Sequence, residues 1–181
     1  MSVDVSELEL VQGCLAGKVA CQRQFVEQFE GMIFGLCLRM LGRRHDAEDV
    51  AQEVFLRAFR NLHRWDQERP LRPWLLTIAA NRCRTHLEER GRRPTPTDLQ
   101  ADWLPERRRP GGRDDAEEIQ QALATLRPDY QQCFVLFYQQ ELSVQEVAEV
   151  LDCPEGTVKT WLHRARKEMA EYLRKRDIDQ D

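Results

Sequence analysis

The chain has 181 residues, 41% hydrophobic and 32% charged, with a formal net charge of −4. Such values suit one ordinary globular domain or two small ones with modest cores. They exclude a uniformly basic nucleic-acid binder, and no apolar stretch approaches the roughly 20 residues of a transmembrane helix.

Met1–Leu10 carries acids where a secretory signal has a basic region followed by an apolar one, so a cytoplasmic protein without membrane insertion is expected. Cys14, Cys21, Cys37, Cys83, Cys133 and Cys153 are even in number, but none forms a CxxC pair. They read as small hydrophobes of a reduced compartment, not as a disulfide framework. His45, His63, His86 and His163 show no ligand spacing with one another or with the cysteines, so no metal is assigned.

Helical spacing begins in the N-terminal part and fills nearly everything outside one stretch; no run of alternating β-branched residues proposes a sheet. In His45–Leu62, helical projection gathers Ala47, Val50, Ala51, Val54 and Ala58 on a buried face. The far side holds Asp46, Asp49, Gln52 and Glu53, with Leu56 among them. A solvated surface accounts for the carboxylates. An apolar anchor ringed by acids fits a docking surface for a basic partner better.

His63–Pro73 reads as a polar, proline-containing loop, and helical spacing resumes over Trp74–Leu87 through Leu75, Ile78, Ala79 and Cys83. Trp65 and Trp74 interleave here with Arg64, Arg69, Arg72, Arg82 and Arg84. Rings and cations together are the materials of single-strand recognition, in which bases stack while the backbone follows the charge. Asn81 could read the edge of an unpaired base. The plain alternative makes both tryptophans core residues, Trp74 above all.

Arg93–Asp114 holds four prolines and two glycines, a helix-breaking composition that reads as a linker, although Leu99, Trp103 and Leu104 could dock. It divides the chain into residues 1–92, the linker 93–114, a second unit 115–176 and a tail 177–181. The fold class expected is all-α: two small helical domains on a flexible Pro/Gly/Arg-rich linker, the second a four-helix domain. Charge is segregated along this plan. Gly156–Arg176 has seven basic residues against two acids and Arg57–Arg92 nine against four. Local field matters more for binding than the net value.

In the second unit, Ile119, Ala122, Leu123 and Leu126 form one helical stripe, and Pro128 suits the first turn of the next helix. Ser143 with Glu146 makes a capping box for a short helix through Val147, Ala148 and Leu151. Asp152-Cys153-Pro154 stops that helix, and another starts near Glu155 with Val158, Leu162, Ala165 and Met169 on one face. Two helices on so short a turn form a helix-turn-helix. The opposite face displays Lys159, Thr160, His163, Arg164 and Lys167, near the helix start where such motifs reach the major groove. A helical hairpin with a merely solvated basic face is the competing account.

Taken together, DAEDVAQEVFLRAF, RPWLLTIAANRCR with RGRRP, and LSVQEVAEVLDCPEGTVKTWLHRAR resemble, in order and spacing, the extracytoplasmic-function (ECF) sigma factors of bacterial RNA polymerase, within the sigma-70 superfamily. The similarity runs from about Leu8 to Leu173 and lapses in the linker. It implies a non-enzymatic transcription initiation factor. Asp46, Asp49, Gln52, Glu53 and Leu56 would dock on the clamp helices of the largest polymerase subunit, with the flap of the second subunit a further contact. Asn81 and the His63–Pro70 loop, with His63, Arg64, Trp65, Arg69 and Arg82, would hold melted minus-10 DNA. Lys159, Thr160, His163, Arg164 and Lys167 would read the duplex minus-35 element. An anti-sigma factor is a further partner that the resemblance implies.

Two positions depart from the family pattern: Thr85 where an Asp or similar polar residue is common, and Trp161 where a basic residue is common. They bear on promoter preference and not on class. No glycine-rich phosphate loop, catalytic carboxylate pair or Ser/Cys–His arrangement is apparent, and no cofactor is called for. Two other function classes stay open on sequence: a stand-alone DNA-binding regulator, and a metal- or redox-dependent enzyme using the cysteines and histidines.

Overall fold

Eight α-helices and one turn of 3-10 helix make up the regular structure of residues 5–92 and 115–178, the segments that a computed structural model of the chain describes. The first group comprises α1 (Val5–Leu15), α2 (Val19–Leu41), α3 (Arg44–Asn61), the 3-10 turn Leu62–Arg64 and α4 (Leu71–Arg92). The second comprises α5 (Asp115–Thr125), α6 (Pro128–Tyr138), α7 (Val144–Leu151) and α8 (Glu155–Ile178). The fold is all-α, in two helical modules, the second a four-helix unit built on a helix-turn-helix. The expected linker, with Leu99, Trp103 and Leu104, lies outside the described residues, as do tail residues 179–181. Helix α8 runs through Ile178 and so takes in the first two residues of the expected tail.

Helix α2 stops because Gly42 takes a left-handed φ of 71° and its N–H donates back to the Leu38 carbonyl. A side chain there would be strained, and α3 starts two residues later. The α3 stripe Ala47, Val50, Ala51, Val54 and Ala58 is buried as projected, with Phe55 added. It packs on α2, where Phe25, Ile33 and Leu36 are fully buried. The ring of Phe25 lies 5.0 Å from Phe29 and 5.2 Å from Phe59. Helix α4 starts three residues before Trp74, at Leu71. It tolerates Pro73 because first-turn N–H groups have no intrahelical acceptor.

In the second module Pro128 opens α6, and the Ser143–Glu146 capping box forms as its spacing predicts. Asp152 ends α7 in the left-handed region, φ 51°, and Pro154 leads into α8. The expected stripe of α5 needs one correction. Ala122, Leu123 and Leu126 are buried, but Ile119 is 39% exposed at the rim.

Helices α4 and α2 of the first module meet α7, α6 and α5 of the second. The four buried polar residues among those described are all glutamines of the second module. Gln131 Nε2 donates to the Arg39 carbonyl at 2.9 Å, Gln120 Nε2 to the same oxygen at 3.2 Å, and Gln132 Nε2 to the Ala80 carbonyl at 2.6 Å. Arg72 Nη2 donates to the Gln140 carbonyl at 2.6 Å. Amide hydrogen bonds therefore join the modules, beside buried apolar side chains that form one cluster through both.

Candidate nucleic-acid interface

Helix α8 turns Val158, Leu162, Ala165 and Met169 into the core, which leaves Lys159, Thr160, His163, Arg164 and Lys167 exposed on its outer side. Lys159 Nζ is 3.5 Å from Glu155 and Lys167 Nζ 3.9 Å from Glu171, both exposed i,i+4 pairs that phosphate could replace at little cost. Thr160 Oγ1 donates to the Gly156 carbonyl at 2.8 Å. Arg164 Nη1 donates to the Tyr130 hydroxyl at 2.9 Å. Trp161 is half-buried against the core, at the edge of the basic face and not within it.

The residues expected to hold single-stranded DNA divide between two concavities. Asn81, Arg64 and Arg82 line a groove of about 370 Å3, together with Arg57, Asn61, Trp74, Ile78 and Thr85. Arg84 Nη2 donates to Asn81 Oδ1 at 2.8 Å, and Thr85 Oγ1 donates to the Asn81 carbonyl at 3.0 Å. Arg57, Asn61 and Ile78 were not singled out on sequence. A basic residue and an amide four apart, at the end of α3, were the signal available. Arg69 and Trp65 line the other cavity, about 530 Å3, between the loop, α4 and α7, and Arg69 lies 3.9 Å from Glu149 across it. His63 is exposed and lines neither.

Two of these residues are not free to serve as expected. Trp65 is only 5% exposed, so its ring belongs to the core and is no open stacking platform; its Nε1 is the one buried side-chain N or O among the described residues without a partner. Trp74, the residue more readily taken for core, is half-buried and lines both concavities. The guanidinium of Arg82 is paired with Glu53, its Nη2 at 3.2 Å from Oε1, and lies 3.6 Å from Glu89. That bond, ahead of the opposing effect of burial, holds the Glu53 carboxyl below the usual carboxylate range.

The acidic face of α3 is likewise split. Asp46 faces α4, 3.4 Å from Arg90 and 3.7 Å from His86, and Glu53 faces Arg82. Side chains at 46 and 53 stand two turns apart, so both fall on the edge of α3 nearest α4. Asp49, Gln52 and Leu56 remain on the exposed side, with Leu56 56% exposed.

All six cysteines are free thiols, and the pair Cys37 and Cys83 sits side by side at 3.7 Å between α2 and α4. Burial, with Cys153 nearby, pushes the Cys133 thiol up to about 12; burial, with Cys21 nearby, pushes Cys14 up to about 11. Protonated at neutral pH, these two are poor nucleophiles and poor metal ligands. Among the described residues no three His, Cys, Asp or Glu side chains gather into a metal-binding group, and no helix is long and apolar enough to cross a membrane.

Residues 25–93 match the family model of sigma-70 region 2, and residues 116–169 that of sigma-70 region 4. The ECF RNA polymerase sigma factor SigW of Bacillus subtilis is 34% identical over 166 residues, covering 82% of this chain and 87% of that protein. The RNA polymerase sigma-H factor of Pseudomonas aeruginosa is 30% identical over 188 aligned positions, 96% of each. In fold, the chain is similar to the sigma factor RpoE of Bartonella quintana, solved in complex with the anti-sigma factor NepR. The TM-score is 0.71 at 22% identity, over 84% of this chain and 96% of that one. CnrH, solved with the cytosolic domain of CnrY, gives a TM-score of 0.65 at 22% identity, over 91% and 94%.

Proposed function

The chain belongs to the ECF sigma factors of bacterial RNA polymerase, and we propose that it binds the core enzyme, reads a minus-35 element as duplex and opens the minus-10 element. Sigma factors are transcription regulators, so synthesis stays with the polymerase and the protein acts in the cytoplasm where that machine works. Residues 1–92 serve polymerase binding and minus-10 recognition, 93–114 connect, and 115–176 take the minus-35 element.

The observation that carries this reading is the outer face of α8, where Lys159, Thr160, His163 and Arg164 stand exposed at the start of a helix whose other side is core. Arg and Lys address guanine O6 and N7, a threonine hydroxyl reaches base or phosphate, and Lys167 one turn on suits the backbone. In the first module, the groove around Asn81 supplies amide donors and acceptors, arginines and the edge of Trp74. Extruding a base costs a few kcal/mol, which one pocket with stacking and hydrogen bonds offsets. Melting then needs binding energy and no chemical step. Asp49, Gln52 and Leu56 form the exposed part of the surface for the clamp helices, Asp46 and Glu53 supporting it from the α4 side. Contact with the flap completes the polymerase interface, and an anti-sigma factor is the regulator this class of protein takes.

Retention on immobilised core polymerase tests the docking half of the proposal and separates it from a stand-alone regulator. The wild-type chain is retained, and Asp49→Arg with Leu56→Asp abolishes retention with helix content unchanged, because both side chains are exposed. Full retention of that double variant would contradict the assignment of the surface.

A further inference from the structure

Tyr130 lies in the first turn of α6, outside the helix-turn-helix, and only 3% of it is exposed. A buried phenol needs a hydrogen-bond partner, and this one finds it in Arg164, whose Nη1 donates to the hydroxyl at 2.9 Å. The Arg127 guanidinium lies 4.9 Å from the centroid of the same ring and pairs with Asp129 at 2.8 Å. One phenol thus holds one guanidinium at its oxygen and a second over its ring, at the margin of the exposed face of α8.

We propose that Tyr130 is a positioning residue for minus-35 readout, its hydroxyl fixing the guanidinium of Arg164 for a guanine edge. This rests on Arg164 reading a base, as above. Arginine carries five N–H donors in a rigid fork on a stem with several rotatable bonds. Its bidentate contact to O6 and N7 needs one orientation of the plane, and a free side chain loses rotamer freedom to reach it. Here one donor is spent on Tyr130, so the plane is held before DNA arrives while Nε and Nη2 remain for the base. Lys167 pairs, among the described residues, with Glu171 on its own helix at 3.9 Å, an exposed contact that fixes no plane. It therefore serves as a charge and not as a reader.

Tyr130→Phe removes the hydroxyl and keeps the ring, its packing and the contact with Arg127. The experiment is binding of a minus-35 library by the full chain on core polymerase, with each variant's melting temperature and salt dependence recorded. Tyr130→Phe lowers the preference at a single base pair by about three- to tenfold, at an unchanged salt slope. Arg164→Lys keeps the charge but loses the planar fork and lowers the preference at that same base pair, and the double variant is no worse there than Arg164→Lys alone. If Arg164→Lys alters one position and Tyr130→Phe leaves it intact, the positioning role is wrong while Arg164 remains the reader. If Arg164→Lys shifts no single position, the base-reading assignment fails and Tyr130's role with it. If Tyr130→Phe lowers the melting temperature, its library binding is read well below that temperature, where a loss spread evenly over all positions assigns Tyr130 to stability alone.

Discussion

Arg82 keeps a permanent charge with only 11% of its side chain exposed, and Glu53 is what makes this tolerable. Removing the carboxylate would leave a guanidinium largely out of water with only Glu89, 3.6 Å away and itself exposed, to compensate. Glu53 is 43% exposed, so solvent screening keeps the effect well below that of a fully buried pair. Glu53→Gln should therefore cost about 1–2 kcal/mol at neutral pH. Because the folded-state value of Glu53 is depressed, the contribution is present above the ordinary carboxylate value of about 4.3. It is lost as pH falls through the lower folded value. Denaturant titrations from neutral pH into acid should show the variant and wild type converging. A constant gap across that range would mean that the pair does not titrate as described. The same residue shows why Asp49, and not Glu53, is the charge to reverse in testing polymerase docking: Glu53→Arg would break the fold's own ion pair before it reached any partner.

Helix α7 is the element most dependent on local chemistry. It has eight residues, too few to persist alone, and its start is fixed by two reciprocal bonds: Glu146 N–H to Ser143 Oγ at 3.2 Å, and Ser143 N–H to Glu146 Oε2 at 2.8 Å. Ser143→Ala should cost about 1 kcal/mol and Ser143→Gly only a few tenths. Thermal unfolding measures both, and equal losses would show that the cap itself contributes little. Such local signals are why α7, its Asp152–Pro154 turn and the start of α8 were legible in sequence: cap, breaker and stripe all lie within a few residues. Features set by a neighbouring element were not. Trp65 and Trp74 are alike in a one-dimensional pattern, yet the first is buried beneath the loop and the second lines a groove. Ile119 fits the α5 stripe by spacing and ends at the rim, because α5 meets its neighbours along a narrower strip than its apolar residues span. Asp46 and Glu53 read as part of one outward docking face, since the arginines that face them arrive from α4, some 30 to 45 residues later in the chain.

At the scale of the molecule, the two modules meet through glutamines. Gln120, Gln131, Gln132 and Gln140 were not singled out on sequence, and nothing in their spacing marks a surface shared with another module. The side-chain amides of Gln120, Gln131 and Gln132 donate to the backbone carbonyls of Arg39 and Ala80, and the Gln140 backbone carbonyl accepts from Arg72. The net charge of −4 fits the same division. In the proposed function, the cationic islands on α8 and around the Asn81 groove would attract nucleic acid, and the acids on the outer side of α3 would face a protein partner. In that proposed function this chain contributes recognition and strand opening to a polymerase that lacks both. Transcription by purified core polymerase across a promoter library, with and without the protein, tests it most directly. That function requires defined start sites that appear only when the protein is added and that vanish with Asp49→Arg and Leu56→Asp. A folded protein that binds library DNA and leaves the start-site pattern of the core enzyme unchanged would contradict it.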